Sequence, residues 1–517
     1  MIGKGKFRPW ICCAALVAAM LPFGSVTRAY ALPVPDEEKI PAMVALSIWD
    51  ETTMGFNWNT SDYTGCDVEV APYGSGFTGA EVMRFTGSVA LSRAHEDDGY
   101  IHRAVAAGLK AGTKYSYRLG DAEFDVWAEG SFTTPKTDGA FEVVHLSDPQ
   151  GWTESHYDTY SGLLSAALTD SPAFIAATGD IVNNSWAERE PVLQQWDWAL
   201  TKQFPYLKDV PFMAVAGNHD AADYDFSSRF YYDVGGDERT GNYYSFNYSD
   251  AHFIALNTND TIGKETPEAT GLSEAQMSWL KADLEANKAA EWKIVMMHKG
   301  IFDSGSHSSN VDLEDYDIAK IRGQLAPLFA EYGVDLVLQG HDHLYSLSYP
   351  VSAELADNAL KVIPDKTDAK KASYEGRTYS MSYQPEGAVY FNTGSASGSK
   401  YYEIQPYNTA LIPIADTSAP KSPMFTRIRI DGGCLLADTY LVENGDAEAY
   451  KSFGIYKGEP EEGTLKFEGG EKPSDNSSEA LSPKSSAWKI VLIAVVGGIV
   501  LIGTGIGALW IFRKKKP

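Results

Sequence analysis

The sequence predicts an α/β domain preceded by a smaller all-β domain. From about residue 40 to residue 134, alternating apolar and polar runs are broken by Gly, Asn and Asp, which is typical of a β-sandwich. From Phe141 onward, apolar β-branched runs alternate with helical segments, which indicates a layered α/β fold. Five segments that follow strand-like runs carry metal-ligating side chains. A length of 517 residues leaves room for both domains and for further segments at the ends.

The first 31 residues have the pattern of a secretory signal peptide. Three basic residues precede an apolar run from Trp10 to Phe23, and the stretch 29–31 (AYA) is a small-residue cleavage pattern. An uncleaved N-terminal anchor is the alternative, but the apolar run is short for a membrane span. We therefore expect residues 1–31 to be removed during export.

Residues 37–135 are predicted to form a fibronectin type III-like β-sandwich. The stretch Leu109–Gly120 resembles the turn and strand pattern of such modules. His95 and His102 are interpreted as surface or strand histidines rather than metal ligands. The predicted strands of this domain are Val44–Trp49, Gly55–Trp58, Asp67–Val70, Tyr100–Val105 and Tyr115–Leu119.

Residues 139–457 are predicted to form the α/β domain. Its best helical pattern is Ser273–Ala290, where Ser273 and Gln276 can form a capping box. Its apolar strands are predicted at Phe141–Leu146, Phe174–Ala177, Phe212–Ala216, Phe253–Leu256, Ile294–Met297 and Val334–Leu338.

The C-terminal segment predicts a membrane anchor. Residues 458–488 have the composition of a flexible stalk. Residues 489–512 are predicted to form a transmembrane helix, since the uncharged part would be roughly 34 Å long at about 1.5 Å per residue. The basic tail, 513–517, places the C-terminus in the cytoplasm and the rest outside the cell. A lipid-anchor signal is disfavoured because it would not end in a basic cluster.

The formal net charge of −26 disfavours binding to nucleic acid. The predicted signal peptide and tail carry four positive charges each, so the remainder carries about −34. An anionic substrate therefore has to be small or held locally by bound cations. Outside the predicted signal peptide the cysteines are Cys66 and Cys434, and the sequence leaves open whether they pair. It also leaves the oligomeric state open.

Five motifs place potential metal ligands just after predicted strands. They are SDPQ (147–150), TGDIVNN (178–184), GNHD (217–220), MMHKG (296–300) and GHDH (340–343). Any single motif is weak evidence, because an Asp or Asn after a strand usually belongs to a turn. Sites in α/β folds lie at the carboxyl ends of strands. The five motifs together therefore indicate a two-metal site.

Asp180 is the natural bridging ligand of such a site. It follows an apolar strand, and Gly179 permits a tight turn that projects the carboxylate. Metal ions paired about 3.5 to 4 Å apart need such a bridge within a ring of nitrogen and oxygen donors. The further candidate donors are Asp148, Asn218, His298, His341 and His343.

The motif set resembles the calcineurin-like metallophosphoesterase superfamily. The upstream sandwich and the ending ADTYLVENGDAEAYKSFGIYK resemble its purple acid phosphatase-like branch. The resemblance implies a four-layer α/β/β/α sandwich in which late strands at 389–393 and 426–440 complete a second sheet. It also implies one metal held by Asp148, Asp180 and His343. The second metal would be held by Asp180, Asn218, His298 and His341.

Two residues depart from the pattern of the purple enzymes. Gln150 stands where many members have histidine, and Asn183 stands where purple enzymes have a ligating tyrosine. Both are kept as candidate metal ligands, and the sequence leaves open whether either ligates directly. Without the phenolate no purple colour is expected. The cofactor is expected to be two divalent or trivalent ions of Mn, Fe or Zn.

His219 is the candidate general acid, because an imidazole beside a metal ligand can protonate a leaving-group oxygen near neutral pH. Asp220 is expected to orient it. By family spacing, His307 is expected to contact the phosphate, with an exposed loop histidine as the alternative. His156 is expected either to face the cleft or to be an exposed loop histidine. His145 is predicted to lie in the core.

These features predict an extracellular, membrane-anchored, acid phosphatase-like hydrolase of small phosphate monoesters, with a metal-bound hydroxide as nucleophile. The alternative is a phosphodiesterase or nucleotide hydrolase on the same fold, because the metal motifs do not distinguish these activities. A non-catalytic surface binding module is a third interpretation. The complete ligand set argues against it.

Overall fold

The computed structural model describes residues 37–95, 98–236, 238–262, 268–309, 316–357, 359–367 and 369–468. The predicted signal peptide, transmembrane segment and basic tail lie outside these residues, as does most of the predicted stalk. Among the described residues, no helix combines the length and the apolar character that crossing a membrane requires.

The N-terminal domain is all-β and consists of two four-stranded antiparallel sheets. Aromatic side chains fill the space between them, and the ring of Phe56 in one sheet lies 5.4 Å from that of Tyr117 in the other. A 3-10 helix, Glu37–Lys39, precedes the sheets. In spatial order the first sheet contains β1 (Ala42–Asp50), β2 (Thr53–Thr60), β6 (Tyr100–Ala106) and β5 (Ser88–Leu91). The second contains β4 (Met83–Thr86), β3 (Asp67–Pro72), β7 (Lys114–Asp121) and β8 (Val126–Thr133).

All five strands predicted for this domain are present, each extended by one to four residues. Three further strands were not predicted from the sequence. β4 and β5 are four residues long and largely exposed, so neither has an apolar run. β8 has mixed polarity along its length. These strands form because neighbouring strands pair with their backbone N–H and C=O groups. The local sequence does not show this pairing.

The α/β domain contains a nine-stranded sheet that begins with three parallel strands. β9, β10 and β11 pair in parallel, and β24 joins β9 in antiparallel register. In spatial order the strands are β11 (Phe212–Ala214), β10 (Ile175–Ala177), β9 (Phe141–Leu146), β24 (Met424–Asp431), β25 (Cys434–Glu443), β26 (Asp446–Tyr456), β21 (Arg377–Tyr383), β20 (Lys370–Tyr374) and β27 (Lys466–Phe467).

The second sheet of this domain has eight strands. Parallel pairing joins β14, β15, β16 and β22, and the outer strands pair antiparallel. In spatial order the strands are β12 (Val234–Gly236), β13 (Tyr243–Tyr248), β14 (Ala251–Ala255), β15 (Trp292–Lys299), β16 (Leu336–Gly340), β22 (Val389–Thr393), β17 (Tyr345–Ser348) and β23 (Ile414–Ser418). A separate antiparallel pair consists of β18 (Val351–Ala356) and β19 (Ala359–Pro364).

The prediction that the late strands together complete one second sheet was wrong. The strand at 389–393 is β22 of the eight-stranded sheet, whereas 426–440 covers parts of β24 and β25, which extend from β9. Strand partners in this fold are chosen by tertiary packing, so chain order does not reveal which sheet a late strand joins.

The helices are short, and one of them has the predicted N-terminal cap. The hydroxyl of Ser273 accepts a hydrogen bond of 3.2 Å from the backbone N–H of Gln276. The α-helices are α1 (Glu154–Ala167), α2 (Arg189–Trp196), α3 (Phe204–Leu207), α4 (Glu274–Ala286), α5 (Ser306–Ser309) and α6 (Tyr316–Tyr332). A π-helical turn, Asp197–Thr201, follows α2, and a 3-10 turn covers Phe226–Ser228.

Two apolar clusters separate the layers of the α/β domain. Along β14 and β15, neighbouring side chains point to opposite faces. Phe253 and Met296 join the cluster shared with the nine-stranded sheet, whereas Ile254 and Val295 join the cluster shared with α4 and α6. Helix α1 packs on β24, β25 and β26. The layers therefore follow the order helix, sheet, sheet, helix.

A buried ion-pair network joins the two domains beside the loops that follow β10 and β11. The Arg229 side chain is fully buried and donates to the carboxylate of Asp98 at 2.9 Å. Arg189, the first residue of α2, donates to the same carboxylate and to Asp225 at 2.7 Å. The N-terminal domain thereby braces two loops of the α/β domain.

Cys66 and Cys434 are both buried, and neither is in a disulfide. The thiol of Cys66 donates to the carbonyl oxygen of Arg103 at 3.7 Å. Burial raises the pKa of both thiols to about 12. These cysteines therefore act as small apolar core residues.

Candidate metal centre

The ligand candidates lie at the carboxyl ends of strands in both sheets of the α/β domain. In the nine-stranded sheet, Asp148, Asp180 and Asn218 follow the parallel strands β9, β10 and β11. In the eight-stranded sheet, His298 lies near the end of β15 and His341 follows the neighbouring β16. Parallel strands end on the same side of their sheet, so motifs distant in sequence converge on one place.

Tight backbone turns project these side chains. Asp148, Asp180 and His341 have positive φ angles of 52°, 50° and 73°, a conformation that is costly for residues other than glycine. Gly179 has a φ angle of 92°. A Cβ atom on Gly217 would lie 2.0 Å from Oδ1 of Asp180. A side chain at 217 would therefore collide with the bridging carboxylate.

One group of ligand atoms comes from Asp148, Asp180 and His343, all within 4.8 Å of one another. Nε2 of His343 lies 3.2 Å from Oδ1 of Asp148. Its Nδ1 lies 3.1 Å from the carbonyl oxygen of Lys400. A carbonyl oxygen accepts only, so Nδ1 carries a proton and the Nε2 lone pair of the neutral ring is left for a metal.

A second group comes from Asp180, His298 and His341, with the same 4.8 Å spacing. Nδ1 of His298 donates to the carbonyl oxygen of Thr178 at 2.7 Å. Its Nε2 faces Oδ1 of Asn218 at 3.0 Å and Oδ2 of Asp180 at 3.4 Å. Asp180 thus belongs to both groups, which is the arrangement a bridging ligand needs.

The donor set fits two cations. Among the described residues, Oδ1 of Asp148 and Nε2 of His341 are buried without a hydrogen-bond partner. Nε2 of His298 faces two oxygen acceptors, which only a proton or a metal can reconcile. Carboxylate, amide and imidazole donors together suit Mn, Fe or Zn. The centre is thus built to hold positive charge.

The protonation of the protein without metals agrees with this conclusion. Burial opposes the charge on Asp180, but His298 and His219 outweigh it and hold the pKa of that carboxyl below its usual range. Burial likewise lowers the pKa of His298, but Asp180 outweighs it and raises that pKa to about 9. Burial, with the neighbouring His307, lowers the pKa of His341. The carboxylate is ionised and His341 is neutral, the forms that bind metals.

Gln150 lies inside the centre with both ends of its amide engaged. Its Nε2 donates to Oδ2 of Asp180 at 3.1 Å, and its Oε1 accepts from the ammonium group of Lys400 at 3.0 Å. In this arrangement Gln150 orients the bridging carboxylate. Asn183 instead lines the cleft beside the centre, and its buried Oδ1 has no hydrogen-bond partner among the described residues.

His219 borders the centre on the cleft side. Its backbone N–H donates to Oδ1 of Asp180 at 2.8 Å, and its Nε2 lies 3.9 Å from the other carboxylate oxygen. The side chain is 31 % exposed. Burial, together with the charge of Lys400, lowers the pKa of the imidazole despite the attraction of Asp180. His219 is thus an imidazole that both reaches the centre and lines the cleft.

Asp220 has a different environment from the one expected. Its carboxylate accepts hydrogen bonds of 2.9 to 3.1 Å from the backbone N–H groups of Ile181, Val182 and Gly217. Within the described part of the chain, no ion pair or hydrogen bond joins it to the imidazole of His219. Asp220 therefore clamps the loops after β10 and β11 together. The sequence did not show this because the partners are backbone groups.

His307 and His156 lie on helices rather than in loops. The ring of His307, in α5, lies 4.1 Å from the ring of His341, so this histidine is next to the centre. His156 is in the first turn of α1, and its Nδ1 accepts from the backbone N–H of Trp152 at 3.1 Å. His145 is fully buried, with Nε2 3.0 Å from the hydroxyl of Thr178. His102 is also fully buried, in β6.

Lys400 is the residue that sequence reasoning missed. It lies in the loop after β22, and its half-buried ammonium group is 3.0 Å from Gln150 and 3.5 Å from Nε2 of His219. Burial lowers the pKa of this amine. A lysine in a Gly/Ser-rich loop is ordinary, so no local signal marks it. Its place beside the centre follows from the position of β22 next to β16.

The centre opens into a cleft of about 380 Å³. A phosphoryl group that enters this cleft would meet the ammonium group of Lys400 and the imidazole of His219 before the buried ligands. In this cleft Lys400 therefore provides positive charge for an anion, and His219 provides a proton donor for a leaving group. The lining residues are Trp152, Asn183, Asn184, Trp186, Asn218, His219 and Lys400.

Two protein-family models match the chain in succession. Residues 41–134 match the purple acid phosphatase N-terminal domain, and residues 141–345 match the calcineurin-like phosphoesterase family. The second match ends just after the last metal-ligand motif. It covers the part of the α/β domain that carries all five motifs, and the strands from β18 onward lie beyond it.

Known acid phosphatases resemble the chain. Acid phosphatase type 7 of Mus musculus is 27 % identical over 69 % of this chain and 78 % of the relative. Purple acid phosphatase 23 of Arabidopsis thaliana is 25 % identical over 59 % of this chain and 74 % of the relative.

Among solved structures, purple acid phosphatase PPD1 of yellow lupin (Lupinus luteus) superposes with a TM-score of 0.61 at 16 % identity, over 81 % of this chain and 74 % of its own. This superposition supports the fold. The chain therefore carries a purple acid phosphatase N-terminal domain followed by a calcineurin-like phosphoesterase domain whose Asp and His side chains could hold two metal ions.

Proposed function

We propose that this protein hydrolyses phosphate monoesters of small molecules at the paired metal centre. The observation that carries the proposal is the sharing of Asp180 between two ligand groups, with Lys400 beside it on the cleft side. A phosphoryl group that reaches the centre would meet two cations and an ammonium group. Such a concentration of positive charge favours a dianionic monoester over a diester, which carries one negative charge.

Each of the two ligand groups would hold one metal ion. The chemistry that bound ions supply in such a centre is a water of lowered pKa and the neutralisation of phosphoryl charge. One ion would be held by Asp148, Asp180 and His343, and the other by Asp180, Asn218, His298 and His341.

The cleft residues would act on the substrate itself. The ammonium group of Lys400 binds a phosphoryl oxygen, and the imidazole of His219 gives a proton to the leaving-group oxygen. His307, against the ring of His341, flanks the same oxygens. Gln150 keeps the Asp180 carboxylate turned toward both ligand groups.

The test is metal-dependent turnover of a monoester compared with a diester. Metal-stripped protein would be assayed on p-nitrophenyl phosphate and bis-p-nitrophenyl phosphate with Mn²⁺, Fe²⁺ or Zn²⁺ restored. We expect turnover to return with metal and the monoester to be preferred. Faster turnover of the diester would assign a phosphodiesterase to the same centre. Failure to bind any metal would leave a non-catalytic binding module.

A point variant tests the role of His219 as the general acid. His219→Ala is expected to lower kcat by roughly 10² to 10⁴, the usual contribution of a general acid, without loss of metal. His95→Ala, in the N-terminal domain, is the matched control and should leave kcat unchanged. An unchanged kcat in His219→Ala would remove this residue from the mechanism.

We also propose that the enzyme acts outside the cell, held at the membrane by residues 489–512. The support is the sequence: an apolar segment followed by the basic tail, with a secretory signal pattern at residues 1–31. Extraction of the full chain from membranes should require detergent, and a chain ending at residue 486 should be released. Equal solubility of the two forms would refute the anchor.

A further inference from the structure

Two tryptophans line the cleft with much of their surface exposed. Trp152 is 51 % exposed and Trp186 is 62 % exposed, and both belong to the wall of the cavity that contains His219 and Lys400. Leaving such large aromatic surfaces in water forgoes burial that would stabilise the fold. Tryptophan placed this way at a site is typical of recognition.

Both rings project from backbone that is held in place. The N–H of Trp186 donates to the side-chain oxygen of Asn184 at 3.1 Å, and the N–H of Ser185 donates to the carbonyl of His219 at 2.8 Å. The loop that carries Trp186 is therefore tied to the loop that carries the candidate general acid. A ligand can use this ring without first ordering the chain.

Trp152 is held in the same manner on the other loop. Its N–H donates to Nδ1 of His156 at 3.1 Å, and its ring stands edge-on to that imidazole at 5.9 Å. The ammonium group of Lys400 lies 5.0 Å from the centre of the indole. One ring is thus placed directly beside the cation that would bind the phosphate.

The cleft also provides a polar group suited to a planar heterocycle. Oδ1 of Asn183 is buried, and no described residue donates a hydrogen bond to it. An N–H or exocyclic amine of a base can satisfy such an acceptor, whereas an apolar group would leave it unpaired. Exposed aromatic surface and a residue whose buried side-chain oxygen lacks a partner among the described residues therefore line the same cavity.

We propose that Trp152 and Trp186 form a stacking subsite for the leaving group, and that the preferred substrates are phosphate monoesters that carry a planar aromatic ring. A nucleoside monophosphate offers this chemistry on an alkyl ester, and an aryl phosphate offers it on the ester oxygen itself. The inference rests on the proposed monoesterase activity and names its substrate class. Stacking on tryptophan tolerates different rings because each has a π face.

The charge of the chain limits the size of this substrate. A formal net charge of −26 repels extended polyanions at long range. A single phosphate next to the centre still gains from Lys400 and the bound cations. The subsite is thus matched to mononucleotides or aryl phosphates, and single-stranded nucleic acid is disfavoured.

The experiment compares substrates that differ only in the ring. Adenosine 5′-monophosphate and ribose 5-phosphate leave through the same type of primary alkoxide, so the ratio of their kcat/KM values isolates the contribution of the base. The ratio would be measured in the metal-loaded full chain and in Trp152→Ala and Trp186→Ala. Phenyl phosphate is the test substrate whose aromatic ring is bonded directly to the ester oxygen. Tyr73→Ala removes an equally exposed ring of the N-terminal domain as the matched control.

We expect adenosine 5′-monophosphate to be preferred and each tryptophan variant to lower its kcat/KM by roughly fivefold to 100-fold. Ribose 5-phosphate and the Tyr73→Ala variant should be unaffected. If the tryptophan variants lower kcat/KM only for phenyl phosphate, the subsite binds a ring that is bonded directly to the ester oxygen. This result would also support the proposal.

Two results distinguish failure of the stacking subsite from failure of the proposed monoesterase activity. Equal ratios in the parent and both tryptophan variants, with turnover of phenyl phosphate also unchanged and ribose 5-phosphate still turned over, would overturn the stacking subsite alone. Failure to turn over all three monoesters, in protein with its metals bound, would contradict the monoesterase activity itself. Metal content and Tm of each variant would verify that the exposed substitutions leave the fold intact.

Discussion

The ammonium group of Lys400 lies 3.0 Å from the side-chain oxygen of Gln150, a residue 250 positions earlier in the chain. The same Gln150 donates its amide hydrogen to the bridging Asp180 at 3.1 Å. A cation is thereby coupled through one amide to the carboxylate shared by both metal groups. The glutamine stands where many related enzymes have histidine, and the lysine contacts it from the cleft side.

Loss of the Lys400 charge is expected to weaken phosphate binding. Lys400→Gln should lower kcat/KM on a monoester by about 10-fold to 100-fold, since a hydrogen bond to a charged group contributes about 1.5 to 3 kcal/mol. It should also raise the inhibition constant of inorganic phosphate, with both metals retained. Lys361→Gln, on the exposed ion pair of β19 with Glu354, is the control. An unchanged phosphate inhibition constant would assign Lys400 a purely structural role.

A methyl group at Gly217 is expected to displace the bridging carboxylate. The added Cβ would lie 2.0 Å from Oδ1 and 2.1 Å from the backbone nitrogen of Asp180. Gly217→Ala should therefore lose metal and activity and be destabilised by about 1 to 3 kcal/mol. Metal content and Tm would be measured together.

The matched control for that substitution is Gly323→Ala. A Cβ atom there meets nothing within 4 Å, and Gly323 lies inside helix α6. Alanine should stabilise the protein by up to about 1 kcal/mol, because it loses less conformational entropy than glycine in a helix. Retention of full metal content by Gly217→Ala would show that the turn relaxes around the extra carbon.

The inter-domain carboxylate of Asp98 is expected to be important for stability. Asp98→Ala removes a partner 2.9 Å from the fully buried guanidinium of Arg229. Breaking one side of a buried pair costs about 3 to 5 kcal/mol. Denaturant unfolding would measure this change. Asp223→Ala, whose partner Arg239 is exposed, should cost less than about 1 kcal/mol. Similar losses in the two variants would mean that solvent reaches the network.

His102 predicts a dependence of stability on pH. Burial against Trp58, whose ring it stacks on at 5.0 Å, lowers the pKa of this imidazole to about 4, although Asp121 opposes the shift. The unfolded chain then binds a proton that the folded protein does not. The contribution to stability is present in full above about pH 6.5 and is lost as the pH falls from there to about 4.

The slope in that window should be at most about 1.4 kcal/mol per pH unit for this single group. Unfolding midpoints in urea between pH 4 and pH 8 would measure it, and His102→Gln should lack this component. Parallel pH profiles for the two proteins would mean that another group carries the acid sensitivity.

Local sequence was sufficient for features that depend on neighbours along the chain. The long apolar strands and the cap at Ser273 were predicted because alternation, propensity and capping act within a few residues. The short exposed strands β4 and β5 were not, since they lack an apolar run of their own and form by pairing with β3 and β6.

The same distinction applies to the site. The sequence places Asp148, Asp180 and Asn218 after strands, and parallel pairing of those strands then brings them together. The roles of Asp220 and Lys400 were missed because their partners are backbone groups or residues of remote loops. No local pattern encodes such partners.

The sequence by itself determined the types of metal-binding side chain, their order and their positions after strands, because these follow from local periodicity and donor chemistry. Only the tertiary structure decided that Lys400 contacts Gln150 from the cleft side and that Trp152 and Trp186 line one cleft. The physical reason is that the order of strands in the two sheets, set by packing of their apolar faces, determines which distant loops meet.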